Sequence, residues 1–423
     1  MMTTIPNAKD AVAKIKSGDQ IFIHGGAATP HLLIDLLVAR APELSDVTIY
    51  QLHSEGSAEY AKPEYKKSFN VRNFFVGRNM RPYLNFENID YIPIFLSEIG
   101  SLFKSEKIKL DVALIQTSPI DKNGFVSLGT SVDIAKAAAM TAKTVIAEIN
   151  NEMPRTFGDG LIPINKIAAA VFTDTPPNEI TINELTDKEH SIGKHIAALI
   201  EDGSCLQVGI GSIPNAVLRH LEHHKNLGLH SEMCSDGILS LLEKGALNNS
   251  LKKNYRDRSV CSFVVGTQRL YQHIDDNPSF FLLESSYVNN PTIIARNPKM
   301  ISINSAVEVD LTGQVCADSV GTKIISGVGG QIDFIRGASL SEGGKAIVAI
   351  TAQTKKGSPR IVPFLKEGAG VVTSRAHLHH VVTEYGVADL YGKSLGERAK
   401  ALTLIAAPED RENLERMWKM KRE

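Results

Sequence analysis

A chain of 423 residues is longer than one hydrophobic core usually fills, so two large domains are expected. Hydrophobic residues make up 43% and charged residues 22%, an ordinary balance for a soluble globular protein. The net charge of −1 excludes a global basic field for nucleic acid or an anionic membrane, so an anionic ligand has to be met by local backbone donors or a few placed Lys and Arg residues.

The opening stretch MMTTIPNAKDAVAKIKSGD alternates polar and apolar residues and lacks an apolar signal core. No apolar run reaches the ~18 residues of a membrane span. "QIFIHGG" from Gln20 reads as a strand entering a glycine turn, and "PHLLIDLLVARAPEL" reads as an amphipathic helix opening on proline. "VTIYQLHS", "NFFVG", "VALIQTSP" and "TVIAEIN" read as buried strands, with "SVDIAKAAAMTAK" as a helix between the last two. Such alternation predicts an α/β fold on a largely parallel sheet. The pattern then restarts: Lys16–Leu37 and Glu201–Leu221 both run glycine, strand, glycine pair, small residues, proline, amphipathic helix, with Pro30 and Pro214 in matching places. Two similar halves follow, 1–185 and 186–423, divided near the polar, Pro-Pro-containing stretch Asp174 to His190.

Several segments of the second half are candidates for chemistry. In "QVGIGSIPNAV", Gly209 and Gly211 fall between a strand and a helix, where backbone can approach a ligand closely and an anion is favoured. Asn215 stands where a dinucleotide motif would need its third glycine. "SGVGGQIDFIRGA" has three glycines in four positions, a turn whose amides can form an oxyanion hole. "HLHH", His377 to His380, has no flanking Cys or carboxylate at ligand spacing; it reads as strand that sends neighbouring histidines to opposite faces, so no metal is expected. Cys205, Cys234, Cys261 and Cys316 show neither CxxC pairing nor a disulfide framework, which reads as reduced thiols in a cytoplasmic protein. In "LGLHSEMCSDG", the residues His230, Ser231, Glu232, Cys234, Ser235 and Asp236 are all potential nucleophiles or bases, and local chemistry does not choose among them.

Order along the chain does. "QTSPIDKNGFVSLGTSVD", "NNEMPRTFGDG", "VGIGSIPNAV", "LGLHSEMCSDG", "INSAVEVDLTGQVCADSVG", "SGVGGQIDFIRGASLSEGGKAI" and "VVTEYGVADLYGKSLGERA" follow one another over nearly the whole sequence. Together they resemble the acetyl-CoA hydrolase/transferase family, in the branch acting on 4-hydroxybutyrate and butyrate. The resemblance implies two similar open α/β domains with the active site in the cleft between them. It implies Glu232 as the catalytic nucleophile. It places coenzyme A contacts at Gly209, Ile210, Gly211, Ser212 and Ile213, and at Val307 and Gly330. No tightly bound cofactor or metal is implied; acyl-CoA and a short-chain carboxylate are the partners, in a homodimer or larger homo-oligomer.

The implied reaction moves CoA between acids through a glutamyl-CoA thioester, with hydrolysis of short acyl-CoA as the alternative on the same scaffold. It also explains why the cysteine would fail. An acyl-cysteine can pass on its acyl group, but only a side-chain carboxyl can become the acyl half of a CoA thioester. Glu148 and Glu384, in strand-like segments, are rival carboxylates and are expected to serve structure. Arg336, expected in a loop, either meets a substrate carboxylate or pairs within that loop.

Overall fold

A computed structural model describes residues 8–180 and 184–420. The signal reading at residues 1–7 and part of the polar stretch 174–190 therefore lie outside the described residues. The described residues divide into two compact units, one built from 8–180 with 260–288 and the other from 184–259 with 289–420.

The main sheet of the first unit has seven strands: β1 (Gln20–Ile23), β2 (Val47–Gln51), β3 (Phe69–Asn73), β4 (Ile89–Tyr91), β5 (Val112–Thr117), β6 (Thr144–Asn150) and β7 (Ile167–Thr173). They form one sheet in the order β7-β6-β5-β1-β2-β3-β4, every neighbouring pair parallel. β5 is buried at every position, as a strand covered on both faces must be. Helix α1 (His31–Ala39) follows the glycine turn after β1, and α2 (Ala135–Thr141) lies between β5 and β6. One expected strand is displaced: "NFFVG" begins at the last residue of β3. The strand itself is "FNVRN", whose alternating burial marks a place near the sheet edge. The Phe74 amide still reaches the Gln51 carbonyl at 2.9 Å, after which the chain turns at Gly77.

Residues 260–288 belong to this unit through their own pairing. Phe280–Leu282 runs parallel to Phe157–Gly158, with Phe281 opposite Phe157. Gly158 has φ +112°, and a β-carbon there would stand 2.2 Å from the Leu282 carbonyl oxygen, so only glycine permits the approach.

The second unit repeats the plan. After α3 (Asp187–Ala197) come β8 (Cys205–Val208), α4 (Ser212–His220), β9 (Gly228–Leu229), β10 (Met300–Asn304), α5 (Gln331–Leu340), β11 (Lys345–Ala349), β12 (His380–Thr383) and β13 (Gly386–Asp389). The sheet order is β9-β8-β10-β11-β12-β13, parallel except for the last pair. Its core gathers Val309, Ile335, Val348, Val381 and Leu402. In each unit the chain reverses direction across its sheet beside the first strand: between β1 and β5, and between β8 and β10. The carboxyl end of such a reversal is where open α/β sheets bind ligands. The repeat extends to the letters. Leu52-His53-Ser54-Glu55 leaves β2 as Leu229-His230-Ser231-Glu232 leaves β9.

The two helix starts at these reversals differ. No side chain of the preceding residue caps α1. The Glu148 carboxylate, from β6, instead accepts the Leu33 amide at 3.3 Å. This puts a negative group at the positive end of α1. Burial raises the Glu148 carboxyl to about 7 against the pull of the Leu33 and Leu32 amides, with Asp35 adding to the rise. In the unfolded chain a glutamate ionises near ~4.3. Folding therefore takes up a proton between those values. The associated stability is full below the unfolded value and is lost as pH rises through about 7. Glu148→Gln keeps an acceptor for the helix amides but cannot ionise. The loss of stability between pH 5 and pH 8 is expected to shrink by up to about 3 kcal/mol in the variant, measured by urea unfolding at both values.

Candidate active site

β8 ends at Val208, and Gly209 begins the loop that leads into α4. Gly211, the residue before α4, has φ +127° and offers no side-chain cap, so the helix begins on bare backbone. Within the loop Ile210 is 49% exposed, an apolar side chain left in solvent where no packing requires it. The Ser212 hydroxyl donates to the Glu189 carboxylate at the start of α3, which anchors the far side of the loop.

Glu232 follows the neighbouring strand, β9. The His230 amide donates to the Leu206 carbonyl at 3.0 Å. The Ser231 hydroxyl accepts the Val208 amide and donates to the Val208 carbonyl, both at 3.2 Å. His230 and Ser231 are fully buried, and the His230 ring lies 6.2 Å from that of Phe334 on α5. The residue before Glu232 is therefore locked to the residue before Gly209.

The Glu232 side chain is half-buried and meets two groups of this unit. Its Oε2 accepts from the Asn289 side-chain amide at 2.8 Å. A β-carbon on Gly330 would stand 1.9 Å from the same Oε2 and 2.0 Å from Asn289 Nδ2. The carboxylate thus rests against backbone at the residue that opens α5, where the helix dipole presents its positive end. Gln331, next along, donates from Nε2 to the Ser305 carbonyl at 2.9 Å, tying α5 to the segment that holds Val307. The Val307 amide is itself fixed to the Cys316 carbonyl at 2.8 Å.

The second unit therefore gathers the predicted positions along the carboxyl ends of β8 and β10. Gly209–Ile213 and Val307 leave adjacent strands, and Glu232 and Gly330 are in contact. Cys234 is buried, at 2% exposure. Arg336 stands exposed on α5 rather than in a loop. Glu384 is occupied by backbone and by Lys188: Oε2 accepts the Ala352 amide at 2.8 Å, and Oε1 lies 3.2 Å from Lys188 Nζ. The histidine run is strand only from His380 onward. His377 precedes β12, where its Nδ1 meets the Ser374 hydroxyl at 2.9 Å. The opposite-face expectation for the whole run is thereby corrected: pairing with β13 begins at His380, opposite Asp389.

Asn289 is the residue that sequence reasoning missed. Its signal is faint. In "YVNNP" the second asparagine, Asn290, is used up as a helix cap through the Thr292 amide at 2.9 Å. The first is left over for another task.

Comparison with known proteins identifies the family. Residues 3–201 match the acetyl-CoA hydrolase/transferase N-terminal domain, and residues 266–418 match the C-terminal domain of the same name. The chain belongs to the acetyl-CoA hydrolase/transferase family. It is 46% identical over 415 residues to a succinyl-CoA:acetate/propanoyl-CoA:succinate CoA transferase of Fasciola hepatica, covering 97% of this chain and 86% of that one. It is also 46% identical over 408 residues to a 4-hydroxybutyrate coenzyme A transferase of Clostridium kluyveri, covering 96% and 95%. Among solved structures, RipA from Yersinia pestis superposes with a TM-score of 0.94 at 31% identity, over 99% of this chain and 97% of that one.

The contact at Gly330 makes a direct prediction. Gly330→Ala puts a methyl group where the carboxylate and amide now meet, although residue 330 has a backbone open to alanine, at φ −102°. Acyl-CoA-dependent turnover is expected to fall by at least about a hundredfold, with an unchanged circular dichroism spectrum.

Proposed function

We propose that this chain is a CoA-transferase that moves CoA between a short-chain acyl-CoA and a free carboxylate, with Glu232 as nucleophile. The observation that carries the reading is the Glu232 carboxylate held against the Gly330 backbone and the Asn289 amide, in a family whose relatives named above are CoA transferases.

The chemistry follows from that carboxylate. An oxygen of Glu232 attacks the thioester carbonyl carbon. The carbon–sulfur bond breaks, and CoA leaves as thiolate from a mixed acyl-glutamyl anhydride. The thiolate then attacks the glutamyl carbonyl carbon, expels the first carboxylate and leaves CoA on Glu232 as a thioester. A second carboxylate attacks that thioester, and the two steps run in reverse. One thioester is exchanged for another, so no ATP is consumed, and kinetics are ping-pong. Both additions pass through oxyanions. Donors at Gly330 and Asn289 suit that charge, and removing one such donor typically costs about 3–4 kcal/mol of activation free energy.

Coenzyme A enters as a substrate. The Gly209–Ile213 loop supports it with bare amides at the start of α4 and with exposed Ile210, and Val307 lies in the segment that follows β10. For the acids, the reading takes acetyl-CoA with 4-hydroxybutyrate or butyrate. The names of the two relatives add succinate and propanoyl-CoA to the panel worth assaying.

With acetyl-CoA and labelled butyrate, labelled butyryl-CoA is expected. Release of CoA and acetate alone would instead indicate a hydrolase. Glu232→Ala is expected to abolish transfer, by more than about a thousandfold, and normal transfer by that variant sinks the assignment. Mass spectrometry of wild-type protein mixed with acyl-CoA is expected to find CoA added at Glu232.

A further inference from the structure

The strand that delivers Glu232 is an edge strand two residues long. Its inner side pairs with β8, through the Gly228 amide to the Ser204 carbonyl at 2.9 Å and the His230 amide to the Leu206 carbonyl. Leu229, between them, turns its amide and carbonyl outward, where among the described residues the sheet has no further strand.

Two side chains stand in for that strand. The Leu229 amide donates to Asn249 Oδ1 at 2.8 Å, and the Leu229 carbonyl accepts from Lys252 Nζ at 2.6 Å. Each partner is fixed from behind. Asn249 Nδ2 donates to the Ser259 hydroxyl at 3.0 Å, and Lys252 Nζ donates to the Arg258 carbonyl at 2.6 Å. The Asn249 amide also donates to the Leu227 carbonyl at 3.0 Å. Asn249 is 3% exposed and Lys252 4%. Asn249 adopts φ +60°, a left-handed conformation that asparagine tolerates better than most residues. The Lys252 stem lies so close to Gly228 that a β-carbon there would be 2.7 Å from Cγ.

Burying an ammonium group is costly even when it is hydrogen-bonded. An edge strand needs no such arrangement merely to stay soluble, since water or a short turn satisfies outward groups. What Lys252 and Asn249 add is a defined position for Leu229, three residues before Glu232. We infer that Asn249 and Lys252 are positioning residues for the nucleophile: by closing the outer side of β9 they set where the Glu232 carboxylate meets Gly330 and Asn289. The inference rests on the reading of Glu232 as nucleophile.

The test compares Lys252→Met, Lys252→Arg and Asn249→Gly with wild type. Methionine keeps the length of the side chain and removes its donor. Glycine accepts the left-handed backbone and removes the acceptor. Turnover is measured with acetyl-CoA and butyrate and divided by the number of sites that take up CoA covalently. A role confined to stability lowers the number of competent sites and the unfolding temperature but leaves turnover per site unchanged. Positioning lowers turnover per site by at least about tenfold, while KM for acetyl-CoA moves less than about twofold. Lys252→Arg recovers part of the loss.

Should Lys252→Met fail to fold, Asn249→Gly decides by the same measurement. Turnover per site within about twofold of wild type in the folded variants overturns the inference. Glu232→Ala, assayed alongside, keeps the two readings apart. Transfer that survives there overturns the nucleophile itself, and the inference with it. Loss there with wild-type turnover per site in the other variants overturns only the positioning.

Discussion

Residue 330 has no side chain, and the Glu232 carboxylate and the Asn289 amide meet in the space that one would fill. Much of the second unit is arranged around that contact. The amino end of α5 is brought to it, Gln331 ties that end to the segment after β10, and Ser231 clamps the approach of Glu232 to the last residue of β8. A carboxylate on a long, rotatable side chain is thereby given few places to be. Rigidity of this kind suits the nucleophile proposed above, whose attack depends on a fixed position.

The two units share one plan and use it differently. Each begins with strand, glycine turn and helix, and each follows its second strand with the letters LHSE. In the first unit the helix start is served by the chain's own Glu148 carboxyl. In the second, the corresponding helix starts after Gly211 with no side-chain cap. The same scaffold has thus closed one helix terminus internally and left the other to backbone. A buried carboxyl that titrates near neutrality marks the cost of the first solution.

Much of the fold was legible because its signals are local. β5 and β6 carry the short apolar runs VALI and VIA, Pro30 and Pro214 mark helix starts, and the glycines lie where strand turns to helix. The misjudged strand near Asn73 shows the limit: an aromatic-rich run looked more strand-like than the alternating "FNVRN" just before it. The candidate site was legible through motif order rather than through local chemistry, which could not rank Glu232 above Cys234. Asn289 escaped because its meaning depends on a contact across 57 positions of sequence. Lys252 and Asn249 escaped for the same reason. A lysine and an asparagine in a polar turn look like solvent-facing residues until the edge strand they close is seen.

The return of residues 260–288 to the first unit bears on how the protein is made. A ribosome delivers the chain from its amino end, yet the strand that pairs with Phe157–Gly158 emerges only after β8, α4 and β9 of the second unit. The first unit cannot be completed as a contiguous piece. It must wait while the intervening residues are synthesised, roughly 5–20 s at ~5–20 residues per second. Over that interval Phe157–Gly158 is without the strand it pairs with in the finished fold.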